Sequence, residues 1–95
     1  MRGRPERAER WVRAPGWEAV EMGGEYVMMS VEAGEYYAVK GVAATLWQAL
    51  AQPHDLDGLT ALVAQEYDVT AEDCRADVIA FVEQLRGKGM VRPAG

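Results

Sequence analysis

The fold is decided by a stretch of chain at residues 17–39, which reads WEAVEMGGEYVMMSVEAGEYYAV. The side chains of residues 17–22 alternate between two faces, as in a strand. The glycine pair Gly23-Gly24 that follows adopts the positive φ angles of a tight turn at little cost. A second strand-like run, residues 26–31, is joined through a turn ending in Gly34 to a third, Glu35–Val39. Three short strands joined by tight turns predict an antiparallel meander.

Three helical segments follow the meander. The first covers about residues 41–51 and stops before Pro53, which cannot continue a helix. Asp55 is a suitable N-cap for the second helix, and Thr70 opens a sequence like a capping box for the longest one, residues 71–86. The apolar positions of this longest helix share one stripe and are Ala71, Cys74, Val78, Phe81, Val82 and Leu85. We therefore predict an α+β fold like a winged helix-turn-helix, with a three-stranded antiparallel sheet followed by three helices.

Length, composition and charge restrict what such a chain can do. Its 95 residues, 49% apolar and 26% charged, fit one small folded domain. A single cysteine and the lack of an apolar run of about 20 residues favour a cytoplasmic protein that does not enter a membrane. Residues 1–13 hold five arginines and two glutamates, whereas the whole chain carries a net charge of −5. We divide the chain into a basic N-terminal tail, residues 1–15, and a domain, residues 16–92. We interpret the tail as solvated, with partner contact as the alternative.

The sequence shows no metal-ligand spacing, and its scattered acidic residues do not single out a catalytic pair. His54 is the only histidine and Cys74 the only cysteine, whereas a structural zinc site takes about four such ligands. Cys74 lies on the core stripe of the longest helix, and we interpret it as a small buried apolar residue rather than a nucleophile. We therefore predict no enzymatic activity, no catalytic residue, no metal and no cofactor.

The charge of the longest helix disfavours DNA binding. A winged-helix protein places this helix in the major groove and needs arginine and lysine there. The segment after Thr70 carries four acidic and three basic side chains, which are Glu72, Asp73, Asp77, Glu83, Arg75, Arg86 and Lys88. We expect no nucleic-acid partner, and a DNA-binding regulator is the least favoured alternative.

The sequence resembles the PqqD-like family in three ordered pieces. They are GEYYAVKGVAATLWQAL at residues 34–50, the short motifs LxxLV at 59–63 and EYDV at 66–69, and DVxxFVxxLxxxGMV at 77–91. Val82 and Met90 stand where the family usually has leucine, and both changes keep the position apolar. The resemblance covers about residues 17–92, whereas the arginine-rich residues 1–13 are not explained by the family pattern. Within the family, the GVAATLW helix and the YDV link most resemble the stand-alone proteins of lasso peptide gene clusters.

This resemblance implies a recognition element for ribosomally synthesised and post-translationally modified peptides (RiPPs). Such a domain binds the leader segment of a precursor peptide and presents it to a separate, transglutaminase-like cysteine peptidase, after which a cyclase closes the ring. The same fold leaves an alternative open, a PqqD-type peptide chaperone for a radical peptide-modifying enzyme. By the same resemblance, pockets of the domain accept a tyrosine and a proline of the leader.

The third strand and the longest helix are where we expect the peptide to bind. An edge strand has unpaired backbone groups, to which an extended peptide can add in the antiparallel direction. The expected site comprises Glu35, Tyr36, Tyr37, Ala38, Val39, Asp77, Val78, Phe81 and Leu85. Asp77 is either a partner for a basic leader residue or an ordinary surface carboxylate. The apolar helix residues are core, pocket or both, and the face of the strand that lines the pocket stays open.

Overall fold

The computed structural model describes residues 9–94, in which two separate antiparallel sheets accompany three helices. In chain order the elements are β1 (Arg10–Arg13), β2 (Glu18–Met22), β3 (Glu25–Ser30), β4 (Glu35–Val39), α1 (Val42–Ala49), β5 (His54–Asp55), α2 (Leu56–Tyr67), α3 (Ala71–Gly87) and β6 (Val91–Pro93). The sheets have the strand orders β2-β3-β4 and β5-β1-β6. The predicted α+β class, with a three-stranded meander followed by three helices, is confirmed. The second sheet was not predicted.

The meander has one buried face and one exposed face. Gly23 and Gly24 have φ angles of 64° and 86°, which let β2 turn back tightly into β3. Cross-strand partners share a face, and Met28 lies opposite Tyr37. Because Met28 is fully buried, the face that it shares with Tyr37 and Val39 is the one that packs on the helices.

Side-chain caps fix where α2 and α3 begin, as the sequence predicted. Asp55 accepts a hydrogen bond of 2.7 Å from the backbone N–H of Gly58 at the start of α2. The hydroxyl of Thr70 accepts one of 3.0 Å from the backbone N–H of Asp73 at the start of α3. Each cap satisfies a backbone donor that the first helical turn leaves unpaired. Among residues 9–94, no helix combines the length and the apolar character needed to cross a membrane.

Strand β1 corrects the interpretation of residues 1–13 as a solvated terminus. It pairs with β5 on one side and β6 on the other, and its Trp11 is only 8% exposed. The backbone N–H of Ala14 also donates to the carbonyl of Met90, at 2.9 Å. The interpretation is therefore wrong for Arg10–Arg13, because their backbone groups and one large side chain find partners from distant parts of the chain. Residues 1–8 lie outside the described part.

Arg13 joins β1 to the first helix. Its Nε and Nη2 atoms donate to the backbone carbonyl of Trp47 at 3.0 and 2.8 Å, and its guanidinium lies 4.5 Å from the centre of the Trp47 ring. Burial lowers the pKa of Arg13 from its ordinary value, and the nearby Tyr26 opposes this effect. A charged donor on a carbonyl at the helix end and a cation over an aromatic face both stabilise this junction.

Candidate functional site

Strand β4 forms one edge of the meander, and its Tyr37 contacts the residue that follows α3. The sheet order leaves the outer edges of both β2 and β4 without a partner strand among the described residues. All five residues of β2 are exposed, whereas in β4 Val39 is buried and Tyr37 is half-buried. The ammonium of Lys88, directly after α3, lies 5.0 Å from the centre of the Tyr37 ring. Of the two edges, that of β4 therefore has the partly buried side chains and a contact with the end of α3.

The two tyrosines of β4 face opposite sides of the sheet. Tyr37 and Val39 lie opposite Met28 and Tyr26 and point toward the helices. Tyr36 lies opposite Met29 on the outer face and is 76% exposed. The face of β4 that is directed at the helices is thus the one with Tyr37 and Val39.

The predicted residues of α3 divide into core and surface. Val78 and Leu85 are fully buried, so they belong to the core, and Phe81 is half-buried against it. Asp77 is exposed. Of these four residues, only Phe81 offers apolar surface to a ligand, and only Asp77 offers charge.

An apolar cleft of about 280 Å³ opens where the start of α1, the end of α2 and the first half of α3 meet. Its lining residues are Val42, Val63, Tyr67, Val69, Asp73, Cys74, Asp77 and Val78. Only two of the predicted site residues, Asp77 and Val78, line it, and the others lie along β4 and farther down α3. Sequence reasoning missed the rest because the residues come from three separate segments. The indication in the sequence was the apolar pair Tyr67 and Val69, which flank Asp68. Asp68 adopts the left-handed φ of 55° and ends α2.

The exposed large apolar side chains of the described residues fall in two places. One group lies on or beside the outer face of the meander and consists of Val20, Met22, Met29, Val31 and Tyr36. The other group consists of Val42, Tyr67 and Val69, and all three line the cleft. Exposed apolar surface that is gathered in this way marks places where a partner binds.

The cysteine and the histidine both contact backbone carbonyl groups of the fold. Cys74 is buried, as predicted, with its Sγ 3.7 Å from the carbonyl oxygen of Thr60. The Nδ1 atom of His54 lies 3.1 Å from the carbonyl oxygen of Gln52 in the same connection. Within residues 9–94, no three His, Cys, Asp or Glu side chains come together as metal ligands would.

A sheet edge without a partner strand is a place where an extended peptide can add to a small α+β domain. The chain belongs to the PqqD family, because the family model described as coenzyme PQQ synthesis protein D matches residues 25–91. The family resemblance inferred from the sequence is thereby confirmed. No curated protein matches the chain.

Two solved structures are similar to this fold. The first is a lasso peptide synthetase B1 complexed with the leader peptide, which is 25% identical, with a TM-score of 0.76 over 87% of this chain and 98% of that one. The second is TbiB1 in complex with the TbiA(beta) leader peptide, which is 17% identical, with a TM-score of 0.78 over 85% of this chain and 94% of that one. The second likeness concerns the fold alone.

Proposed function

We propose that this chain binds the leader segment of a ribosomally synthesised precursor peptide, that of a lasso peptide, and presents it to a separate enzyme. The observation that carries the proposal is the edge of β4, which has no partner strand among the described residues and whose Tyr37 contacts Lys88 directly after α3. Membership of the PqqD family supports it. So does the similar lasso peptide synthetase B1, which was solved with a leader peptide.

The leader adds to β4 as a further antiparallel strand. The backbone groups of Glu35–Val39 that point away from β3 supply main-chain hydrogen bonds, which are the same for any sequence. Alternate leader side chains turn toward the helices, where Tyr37, Val39 and Phe81 receive them. The buried Val78 and Leu85 hold this wall in place from the core. By family resemblance, the side chains received are a tyrosine and a proline.

Presentation requires that the rest of the precursor stays accessible. Binding along one sheet edge holds a short segment of leader and leaves both of its flanks free. A transglutaminase-like cysteine peptidase then cleaves the leader in trans, and a cyclase closes the ring of the released peptide. The chain itself contributes binding and no catalytic group.

Amide hydrogen exchange tests the strand addition directly. The probe is a synthetic leader peptide, taken from the precursor gene next to the gene for this chain. We expect the amides of β4 that point away from β3 to exchange fast in the free protein, and alternate ones in Glu35–Val39 to become protected at saturation. Strand β2 is the internal control, because it is the other edge of the same sheet. Protection of β2 with β4 unchanged, or saturation without protection in either strand, contradicts the proposal.

A PqqD-type chaperone for a radical peptide-modifying enzyme is the second candidate, and the description of the matching family favours it. The two candidates share the leader-binding step and differ in the enzyme that receives the complex. The genes next to the gene for this chain distinguish the two candidates. So does the reaction that the chain assists, which is leader cleavage for one candidate and side-chain modification for the other.

DNA binding is disfavoured by the ion pairs around α3. Arg75 pairs with Asp57 at 2.7 Å and Arg86 with Glu83 at 2.6 Å, so two of the basic side chains in this region already have carboxylate partners. Phosphate contacts from free arginine and lysine dominate the affinity of proteins for DNA. Salt-dependent retention on DNA at moderate ionic strength would count for the regulator and against leader binding.

A further inference from the structure

A second cleft lies at the end of the meander where β2 begins and β3 ends. It has a volume of about 490 Å³, and its lining residues are Gly16, Trp17, Glu18, Val31 and Glu32. We call it the Trp17 cleft. Glu18 lies opposite Met29, near the end of β3, so the two segments that line the cleft meet at one end of the sheet. The Trp17 cleft shares no lining residue with the cleft between the helices.

Both walls of the Trp17 cleft are fixed by the fold. Trp17 is half-buried and packs against the hydrophobic core. On the other side, the hydroxyl of the buried Ser30 accepts a hydrogen bond of 3.1 Å from the backbone N–H of Ala33. The carbonyl of Ser30 accepts another, of 2.9 Å, from the backbone N–H of Gly34. These bonds fix the turn between β3 and β4, so the cleft is formed before any ligand arrives.

The turn carries an exposed valine for which folding gives no reason. Val31 is 86% exposed, more than any other large apolar side chain among the described residues. Turns favour glycine, proline and small polar residues, and a valine is not needed to form one. Val31 lines the cleft together with Trp17, and both lose contact with water when a side chain enters. This apolar surface indicates a partner.

The charge around the Trp17 cleft selects a basic partner group. Residues 14–39 contain five glutamates and no lysine or arginine, and two of these glutamates, Glu18 and Glu32, are exposed and line the cleft. Carboxylates pair with an ammonium or guanidinium group, and the face of an aromatic ring attracts the same cation. The long stem of a lysine or arginine packs on apolar atoms. Carboxylates, an indole and a valine together therefore suit a basic side chain.

The position of the cleft in the sheet decides which molecule supplies this side chain. Glu18 belongs to β2, and β3 separates β2 from β4. A leader that adds to the outer edge of β4 lies on the far side of β4 from β3, two strands away from Glu18. The Trp17 cleft is therefore open in the complex with the leader, and the molecule that approaches this complex is the enzyme.

We propose that the Trp17 cleft is a docking point for the enzyme that receives the leader, and that it takes an arginine or lysine side chain of that enzyme. Glu18 and Glu32 pair with the cation, while Trp17 and Val31 cover its stem. The inference rests on the proposed function. It adds a contact between this chain and the enzyme that involves no residue of the leader site.

Charge reversal tests this contact in the full chain. Glu32→Arg reverses a charge in the cleft, and the matched control is Glu25→Arg, at an exposed glutamate of the same sheet whose partner Met22 lies at the other end of β2. Each variant, saturated with the synthetic leader, is titrated onto the immobilised leader-processing enzyme that the neighbouring gene encodes. We expect Glu32→Arg to weaken this binding by about tenfold and to flatten its salt dependence, with less than about a threefold effect for Glu25→Arg. Equal losses would reflect general attraction to an acidic surface and overturn the docking point.

Leader affinity separates this inference from the proposed function. Isothermal titration with the synthetic leader alone should give wild type and Glu32→Arg affinities within about twofold of each other, because Glu32 lies outside the edge that pairs with the leader. If Glu32→Arg weakens leader binding as much as enzyme binding, the cleft belongs to the leader and the inference is wrong. If the wild-type protein does not bind the leader, the proposed function itself fails.

An exchange of charges identifies the residue of the enzyme. Its surface arginines and lysines are replaced singly by glutamate and tested against wild type and Glu32→Arg. We expect one replacement to weaken binding to wild type and to strengthen binding to Glu32→Arg by about tenfold, as for two groups in direct contact. A complete set of replacements without such a reversal overturns the proposal.

Two further measurements cover other occupants of the cleft. A chain that begins at Glu9 lacks Arg2, Arg4 and Arg7, and we expect it to bind the enzyme like the full chain. Tighter binding of the shorter chain would assign the cleft to the N-terminal segment of the chain itself. Sedimentation of the free protein should show no dimer that Glu32→Arg dissociates, since such a dimer would assign the cleft to a second copy. Either result overturns the proposal.

Discussion

Tyr36 and Tyr37 are adjacent residues of one type that lie on opposite faces of β4. Tyr37 points toward the helices under Lys88, and Tyr36 is exposed on the outer face. We expect Tyr37→Ala to weaken leader binding by about tenfold or more, because it removes an aromatic wall of the groove. Tyr36→Ala keeps the backbone edge and should change the affinity by less than about threefold. Isothermal titration with the synthetic leader measures both. A larger loss for Tyr36→Ala would place the leader side chains on the outer face.

The role of Arg13 was the hardest to predict from the sequence. Five arginines in the first 13 residues indicate a solvated basic segment, and nothing local separates Arg13 from Arg10. The difference is the carbonyl of Trp47, which lies 34 positions away and becomes a partner only in the folded chain. A contact of this range leaves no local pattern in the sequence.

Replacement of Arg13 tests this contact. Hydrogen bonds from a charged group contribute about 1.5–3 kcal/mol, and exposure of the site reduces the figure. We expect Arg13→Ala to lower the free energy of unfolding by about 1–2 kcal/mol. The matched control is Arg10→Ala, at an exposed position of the same strand, with an expected change below about 0.5 kcal/mol. Urea unfolding measures both variants, and equal losses would contradict the role of the Trp47 carbonyl.

At the level of elements, the sequence predicted what depends on neighbours in the chain. Caps, glycine turns and the apolar stripe of α3 act over a few residues, so α2, α3 and the meander follow from them. Strand β3 shows the limit of such local sequence patterns. It is apolar on both faces, with Val27 and Met29 on one and Met28 on the other, so its alternation does not reveal that Met28 is the buried one.

The cap of α3 yields a prediction at this scale, because the helix positions both Asp77 and Phe81. Thr70→Ala removes the hydrogen bond to the N–H of Asp73 and should lower the free energy of unfolding by about 1 kcal/mol. Thr70→Ser keeps a hydroxyl and should stay within about 0.5 kcal/mol of wild type. Thermal unfolding followed by circular dichroism compares the two. Equal stability of the two variants would show that water replaces the cap at no cost.

The places of the expected site residues follow from the same kind of local pattern. Strand order puts Glu35–Val39 at an edge, helix periodicity puts Phe81 beside the core, and the contact between the two segments is that of Lys88 with Tyr37. The cleft needs the start of α1 and the end of α2 to meet the first half of α3, which is a matter of packing between elements. Only Asp77 and Val78 belong to both the predicted set and the cleft.

Across the whole molecule, the second sheet holds the two ends of the described chain together, and this gives a prediction about truncation. A protein that begins at Gly16, as the sequence-based division into tail and domain suggests, loses β1 with the buried Trp11. It also leaves the buried Met90 and Val91 without cover from β1. Loss of one buried tryptophan side chain costs about 3–5 kcal/mol, which for a domain of this size corresponds to a melting temperature lower by roughly 12 °C or more.

The matched control for this truncation is a chain that begins at Glu9 and keeps β1. It should melt within a few degrees of the full chain, because it retains all pairing of β1 with β5 and β6. Equal melting of the Gly16 and Glu9 chains would show that β1 contributes nothing to stability. None of the residues of β4 or α3 is removed in either chain. At a temperature where the shorter chain is still folded it should therefore bind the synthetic leader like the full chain, since β1 stabilises the domain and takes no part in the groove.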